Sequence, residues 1–575
     1  MKKLIEIRKS KIKDCLFVFC VFLFSGCNFL DYQERTVPGI EEAFGEYSRA
    51  KGVLVAAYNE LPSYFSSVGN AMLESATDDA IFVRSTNDIH NFYNGSWGPM
   101  NTIDAQWTSH YRAIRRTNLF LENANDAVLE DVKWQVETYL QRKKQWEFYR
   151  YEARFLRAFF HFELAKRYGD IPLVTKMLQQ EEANSTSRTP FKDVMLWIAD
   201  ECDEIAPNLP VSYTDPNITP GIETGRATRG AALALRARAL LYLASPLHNP
   251  EGASDYTERW TAAAEAAHDL IASGMYSNTL PAWSNVFNNW RPQTNTELIF
   301  EKRMGDSRSF EENNYSIGFE GGGTGNCPTQ NLVDCYEMQS TGRGILESGS
   351  GYNPENPYTG RDPRLGMSIF FNGSQGGPTN VLREMQCFRG GLDGPPRAEA
   401  SLTGYYLKKL MNPNIVMGGG GTLTNGEHCW IHFRYTEVLL NYAEAMNEVY
   451  GPNDKGPYTI TARDAVNFVR RRPGVLMPVF PEGLTKDQFR EKLRNERRVE
   501  LAFEGHRMWD IRRWKTGEVT REIRGMEIIQ EADLSFTYTP KVIQERNWND
   551  KMYFYPIPLT EIYHTGGVIK QNPDW

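Results

Sequence analysis

The chain lacks a membrane-spanning run. Its uninterrupted apolar stretch, Cys15–Phe24, has ten residues, against the roughly 20 that a transmembrane helix needs. It also lacks an excess of positive charge. With 64 basic and 72 acidic residues the formal charge is −8, which argues against a nucleic-acid binder and its basic face. Cysteine is scarce, eight in 575 residues, and Cys15 and Cys20 lie in the apolar run. Beyond Cys27 there remain Cys202, Cys327, Cys335, Cys387 and Cys429. An odd five in an exported chain cannot all pair, though Cys327 and Cys335 stand close enough to close a short loop. HExxH, GxSxG and Walker motifs are missing, along with the chemistries they mark. What the chain has is material for a substantial core, 41% hydrophobic and 24% charged, and many aromatics, with 13 Trp and 28 Tyr.

The first residues read as an export signal. Lys2, Lys3, Arg8, Lys9, Lys11 and Lys13 precede the apolar run, which ends in Leu23-Phe24-Ser25-Gly26-Cys27. Small residues before a cysteine resemble a lipobox, although Phe24 stands where leucine is usual. Residues 1–26 are therefore expected to leave as a lipoprotein signal peptide. Cys27 is expected to carry lipid on a tether of residues 27–36, and the mature chain to sit near −12.

Helical patterns follow. Apolar residues recur at helical spacing in Glu41–Leu61 and in Asp104–Asn125, the latter led by Trp107, Tyr111, Ile114 and Leu119. Trp146–Tyr168 reads as a long buried helix, stopped by Gly169 and Pro172. The next starts at Thr189-Pro190 and runs to about Ile205, followed by Arg226–Ala244 and Thr257–Ser273. Ile431–Glu448 and Thr461–Arg472 add another pair. Between Gly274 and Glu427 the pattern fades and Gly, Pro, Asn and aromatics accumulate, so that stretch is expected to form a subdomain of turns and short strands.

The organising stretch is Asn495–Trp514, NERRVELAFEGHRMWDIRRW. Val499, Ala502 and Phe503 make one apolar stripe, with Phe489 and Leu493 beside it and Leu501 nearly opposite. A helix with two apolar arcs packs on both sides. Glu496, Glu500 and Glu504 then border the core and need partners. Arg497 and Arg507 stand at neighbour spacing to Glu500 and Glu504. Gly505 is expected to break the segment. Three carboxylates in a row could be an acid/base site, as in a glycosidase, but a structural ion-pair network is the preferred reading.

ERRVELAFEGHRMWDIRRW resembles the signature helix of the SusD/RagB family of glycan-binding outer-membrane lipoproteins. Arg154–Ala158 (RFLRA) followed by Tyr168-Gly169-Asp170 resembles a second family motif, and Tyr553–Trp575 resembles the family terminus. The resemblance implies a mainly α fold, a tetratricopeptide-like helical-repeat scaffold with a loop-rich, partly irregular insertion. The expected divisions are residues 37–273 for the N-terminal helical part, 274–430 for the ligand-binding insertion and 431–575 for the C-terminal helical part. Residues 486–515 would be the signature helix, and residues 553–575 the terminus. The implied function is a lipid-anchored outer-membrane protein at the cell surface. It would bind an oligosaccharide and pass it to a SusC-like TonB-dependent transporter, with no cofactor and no catalysis. A surface glycoside hydrolase and a ligand-free assembly scaffold are the rivals.

The resemblance implies binding from the early loop together with the insertion. A sugar has an apolar C–H face and a rim of hydroxyls, so an aromatic ring among polar groups is the pattern to seek. Trp97 in a Gly/Asn loop, with Arg84 and Asn101 near it in sequence, fits. So do Trp283, Trp290 and Tyr315, interleaved with Asn288, Asn289 and Arg291. Each ring taken alone fits core packing at least as well; the cluster favours binding. His428 and His432 have the i, i+4 spacing of a zinc pair only if they are helical, and local packing is preferred. Gly321–Gly325 lacks the Gly-Lys-Ser/Thr ending of a phosphate loop and reads as a flexible turn.

Overall fold

A computed structural model describes residues 39–575 apart from 217, 220, 222 and 288–294. Cys27 and Trp290 lie outside the described residues. The helical part comprises α1 (Tyr47–Asn59), α2 (Trp107–Asn123), α3 (Val136–Tyr168), α4 (Phe191–Ile205), α5 (Arg229–Ala244) and α6 (Tyr256–Ala272). After the insertion come α7 (Tyr435–Tyr450), α8 (Ala462–Arg470), α9 (Lys486–Glu500) and α10 (Arg507–Arg513), and α11 (Leu559–His564) lies near the terminus. Helices α1 and α2, α3 and α4, α5 and α6, and α7 and α8 pack pairwise, and α4–α5 and α6–α7 contacts stack the pairs. Alanine makes the α5–α6 approach close: Ala231, Ala234, Ala263 and Ala267 are all buried.

Local chemistry sets the boundaries. Thr461 and Thr485 open α8 and α9 with capping boxes closed by Asp464 and Gln488. Gly169, at φ +71°, stops α3 where the sequence placed its end. Helix α3 begins ten residues before Trp146, because its first turns are largely exposed and their apolar residues, Val136 and Leu140, stand among polar ones.

The insertion holds strands and only short helices, such as Ser309–Asn314 and Arg364–Ser368. β1 (Ala80–Phe82), in the early loop, pairs antiparallel with β3 (Asn326–Pro328) inside the insertion. β2 (Leu298–Ser307) pairs with β4 (Gly426–Arg434), which closes the insertion at its base. β5 (Glu522–Gln530) and β6 (Phe536–Glu545) form a hairpin. His428 and His432 therefore stand on a strand, about 13 Å apart along it, too far to chelate one ion. His428 meets Glu311 at 3.0 Å and His432 stacks on Phe300. All five described cysteines are free thiols, so no Cys327–Cys335 loop is closed.

The signature stretch is a helix, a turn and a second helix, with Gly505 at φ +77° between α9 and α10. Its three glutamates are buried and paired, although not with the neighbours that sequence spacing offers. Glu500 meets Arg364, Arg434 and Arg472, each at 2.9 Å. Glu496 pairs with Arg364 and Arg470, and Glu504 with Lys409 and Arg434. Arg497 instead holds Asp510, and Arg507 reaches Asp78. Burial pushes the Glu500 carboxyl up, but Arg472, Arg434 and Arg364 overcome it and hold the value at about 2. Arg364 and Lys409 belong to the insertion, so these pairs fasten it to the helical scaffold.

Candidate functional site at the loop junction

The same helix pair fixes the early loop. Arg498 binds Asp79 at 2.7 Å, Arg507 binds Asp78 at 2.9 Å, and Glu74 accepts from the Gly505 amide at 2.6 Å. From these anchors the chain enters β1, pairs with β3 and delivers Arg84 to the surface. Arg84 donates to the Gly323 carbonyl at 3.3 Å and to Asn313 Oδ1 at 3.5 Å; Glu399 lies 3.7 Å away. Asn70, in the left-handed region at φ +72°, donates to Asn313 Oδ1 at 3.3 Å. Early loop and insertion thus meet through partly exposed amide and guanidinium groups.

Beside this contact lies a shallow crevice of about 90 Å³, lined by Phe65, Ser66, Asn70, Ser309, Phe310 and Asn313 among others. Phe65 and Phe310, both themselves buried, meet edge to face at 4.7 Å beneath it, so they seal its bottom and present no open ring face. Hydroxyls and amides form the rim. The Gly321–Gly325 run closes the junction from behind as a tightly packed turn. A Cβ at Gly323 would stand 2.5 Å from the Arg84 guanidinium, and one at Gly325 would stand 2.2 Å from the Asn313 carbonyl.

The sequence-derived residues do not converge. Arg84 is at the junction. Asn101 is exposed in a tight turn closed by Gly98, donating to the Ser96 carbonyl at 3.0 Å, beside α11 rather than the insertion. The three described rings are corrected from platforms to core. Trp97 is 7% exposed and enclosed edge-on by Phe92, Tyr555 and Trp575 at 4.7–5.0 Å. Trp283, 2% exposed, lies under the ion network, with Lys409 4.6 Å from its ring. Tyr315, 1% exposed, stacks on Phe370. A ring covered on its faces cannot carry a sugar. What sequence reasoning missed is Asn70, Asn313 and the Phe65–Phe310 floor. The signals were the Gly69-Asn70 turn and the paired amides Asn313-Asn314, neither of which advertises a binding role alone.

Comparison with known proteins places this geometry. Residues 296–575 match the SusD family, and residues 50–243 match a family described as "Starch-binding associating with outer membrane". The chain belongs to the SusD family. A SusD-like protein of Bacteroides fragilis is 25% identical and superimposes with a TM-score of 0.73 over 94% of this chain and 100% of its own. A SusD-like carbohydrate binding protein of the same species is 26% identical, with a TM-score of 0.67 over 91% of this chain and 98% of its own. The SusD-like protein P25 of Formosa agariphila is 24% identical over 95% of both chains. The mainly α, tetratricopeptide-like scaffold with its inserted loops is the family fold.

A second, larger cavity of about 740 Å³ lies on the helical side, between α2, residues 172–186 and α11, with Trp107, Tyr111, Arg115, Glu561 and His564 on its walls. It shares no residue with the loop junction.

Proposed function

We propose that this protein binds a glycan at the junction of early loop and insertion, and does not hydrolyse it. The carrying observation is that two segments more than 200 residues apart are fastened together at one surface. There, Asn70, Arg84 and Asn313 present donors and acceptors over the Phe65–Phe310 floor. Membership of a family that includes a carbohydrate-binding relative supports the reading. The most conspicuous acid/base candidates, Glu496, Glu500 and Glu504, are committed to arginines and a lysine inside the core. A glycosidase needs two carboxyl groups facing one sugar.

The bound glycan passes to a SusC-like TonB-dependent transporter, and the protein is held at the outer-membrane surface by lipid on Cys27. No helix among the described residues is long and apolar enough to cross a membrane. Cys27→Ala should abolish incorporation of a labelled fatty acid; label persisting on that variant places the anchor elsewhere.

The binding claim is tested by calorimetric titration of the soluble mature chain against a panel of oligosaccharides. Arg84→Ala should weaken the best ligand about tenfold or more, since a hydrogen bond from a charged group is worth about 1.5–3 kcal/mol, and Asn313→Ala by up to about tenfold, since a neutral one is worth about 0.5–1.5 kcal/mol and a decade is 1.4 kcal/mol. Shorter sugars released during the titration would replace binding with hydrolysis. No heat with any glycan, with the transporter still co-purifying, would leave an assembly scaffold.

A further inference from the structure

We infer that the N-terminal end of α3 rests on the lipid surface. Trp134, Val136 and Leu140 are 77%, 67% and 59% exposed. Val136 and Leu140 share one helix face, Trp134 stands just before it, and no other described tryptophan is so exposed. An apolar cluster of this kind on a soluble surface marks a contact made with something else.

Where the chain enters the fold says what that is. α1 begins, α2 ends and α3 begins at the same end of the helical part. There Phe44 lies 6.2 Å from Phe120, Tyr47 lies 5.7 Å from Trp146, and Arg142 sits 4.9 Å over the Tyr47 ring. The described chain starts here at Gly39, and Ile40, the next residue, is 54% exposed. The residues from Cys27 to Gly39 span at most about 40 Å, and α3 rises only about 15 Å from Trp146 back to Val136. A lipid on Cys27 therefore holds this end of the molecule near the bilayer. The inference rests on the lipidation reading above.

The local charges decide the mode of contact. Lys133, Lys143 and Lys144 are exposed nearby, and so are Glu130, Asp131 and Glu137, with Lys133 held by Glu130 at 3.1 Å. Near balance gives an anionic surface little to attract. The contact is instead apolar and interfacial, with the Trp134 indole at headgroup depth, where that ring is favoured, and lysine stems lying along the apolar patch.

The experiment uses the acylated full chain in vesicles of phosphatidylethanolamine and phosphatidylglycerol carrying brominated acyl chains. Tryptophan emission should be quenched, and Trp134→Phe should remove most of the quenching while melting is unchanged. A second arm adds the soluble chain from residue 28 onward, which carries neither the apolar run nor Cys27, to the same vesicles. It should bind weakly and independently of salt, and a Trp134→Gln, Val136→Ser, Leu140→Ser variant should bind at least tenfold less. This arm stands whether or not Cys27 is the lipid site. Quenching that survives Trp134→Phe, or equal vesicle binding by the triple variant, overturns the inference. Equal vesicle binding with loss of a co-purifying transporter would assign the patch to a protein instead.

Discussion

The signature helix pair and the loop junction are both rich in polar groups, and they use them in opposite ways. Around α9, carboxylates and guanidinium groups are buried and committed to ion pairs: Glu500 alone meets three arginines. At the junction, Arg84 is partly exposed and has one carbonyl, one amide and a carboxylate at 3.7 Å. A buried, paired charge is out of a ligand's reach, and losing one partner strands the rest. A half-satisfied surface group can exchange water for a hydroxyl at little structural cost. The first region holds the second in place, through Asp78 and Asp79, and does not itself recognise anything.

The comparison breaks most sharply at Glu500. Glu500→Ala should lower stability by about 3–5 kcal/mol, because three arginines lose a buried counter-charge, while any folded fraction binds glycan as the parent does. Chemical denaturation read beside titration decides this; a variant that melts normally but no longer binds makes the carboxylate part of a site. Trp97→Ala is expected next, at about 3 kcal/mol, the lower end for a buried tryptophan, again as a loss of melting temperature rather than of affinity.

Acid should act on the first region before the second. The folded Glu500 carboxyl sits at about 2, below its ordinary 4.5, and Glu444 is likewise held at about 2 by Arg513 and Arg497 against burial. Groups depressed in the folded state contribute fully above the unfolded value. Their contribution falls away as pH drops from about 4.5 toward 2. Thermal melts across that window should decline steadily, and a flat profile would contradict the network's role. The smallest stability effects belong to Arg84→Ala and Asn313→Ala, about 1 kcal/mol each, since both side chains are half-buried and each gives up hydrogen bonds between loop and insertion.

The two regions also differ in how legible they were. The helices, their pairing and the break at Gly505 follow from periodicity, small residues and capping chemistry, all of them local. That Glu496, Glu500 and Glu504 needed partners was readable from their place beside apolar arcs. Which partners was not, because Arg364, Arg434 and Arg472 arrive from distant segments. The site failed for a related reason. Aromatics in Gly/Asn-rich loops look exposed when a loop is imagined as solvated. Here Trp97 closes on the C-terminal Tyr555 and Trp575, and Trp283 lies beneath a charged lattice, contacts that no local pattern announces. Arg84 was singled out only as a polar neighbour of Trp97 in sequence; the fold turns Trp97 toward the C-terminal rings and Arg84 toward the insertion.

The central claim is that recognition lives at the junction and stability in the charged helix. It is tested most directly by titrating one bound oligosaccharide into the parent, Arg84→Ala and Asn313→Ala, with a melt of each. Affinity falling about tenfold or more in Arg84→Ala and by up to about tenfold in Asn313→Ala, with only the small loss of stability given above, is the result expected. Full affinity in both variants would contradict it, and would direct attention to the groove walled by Trp107 and Tyr111.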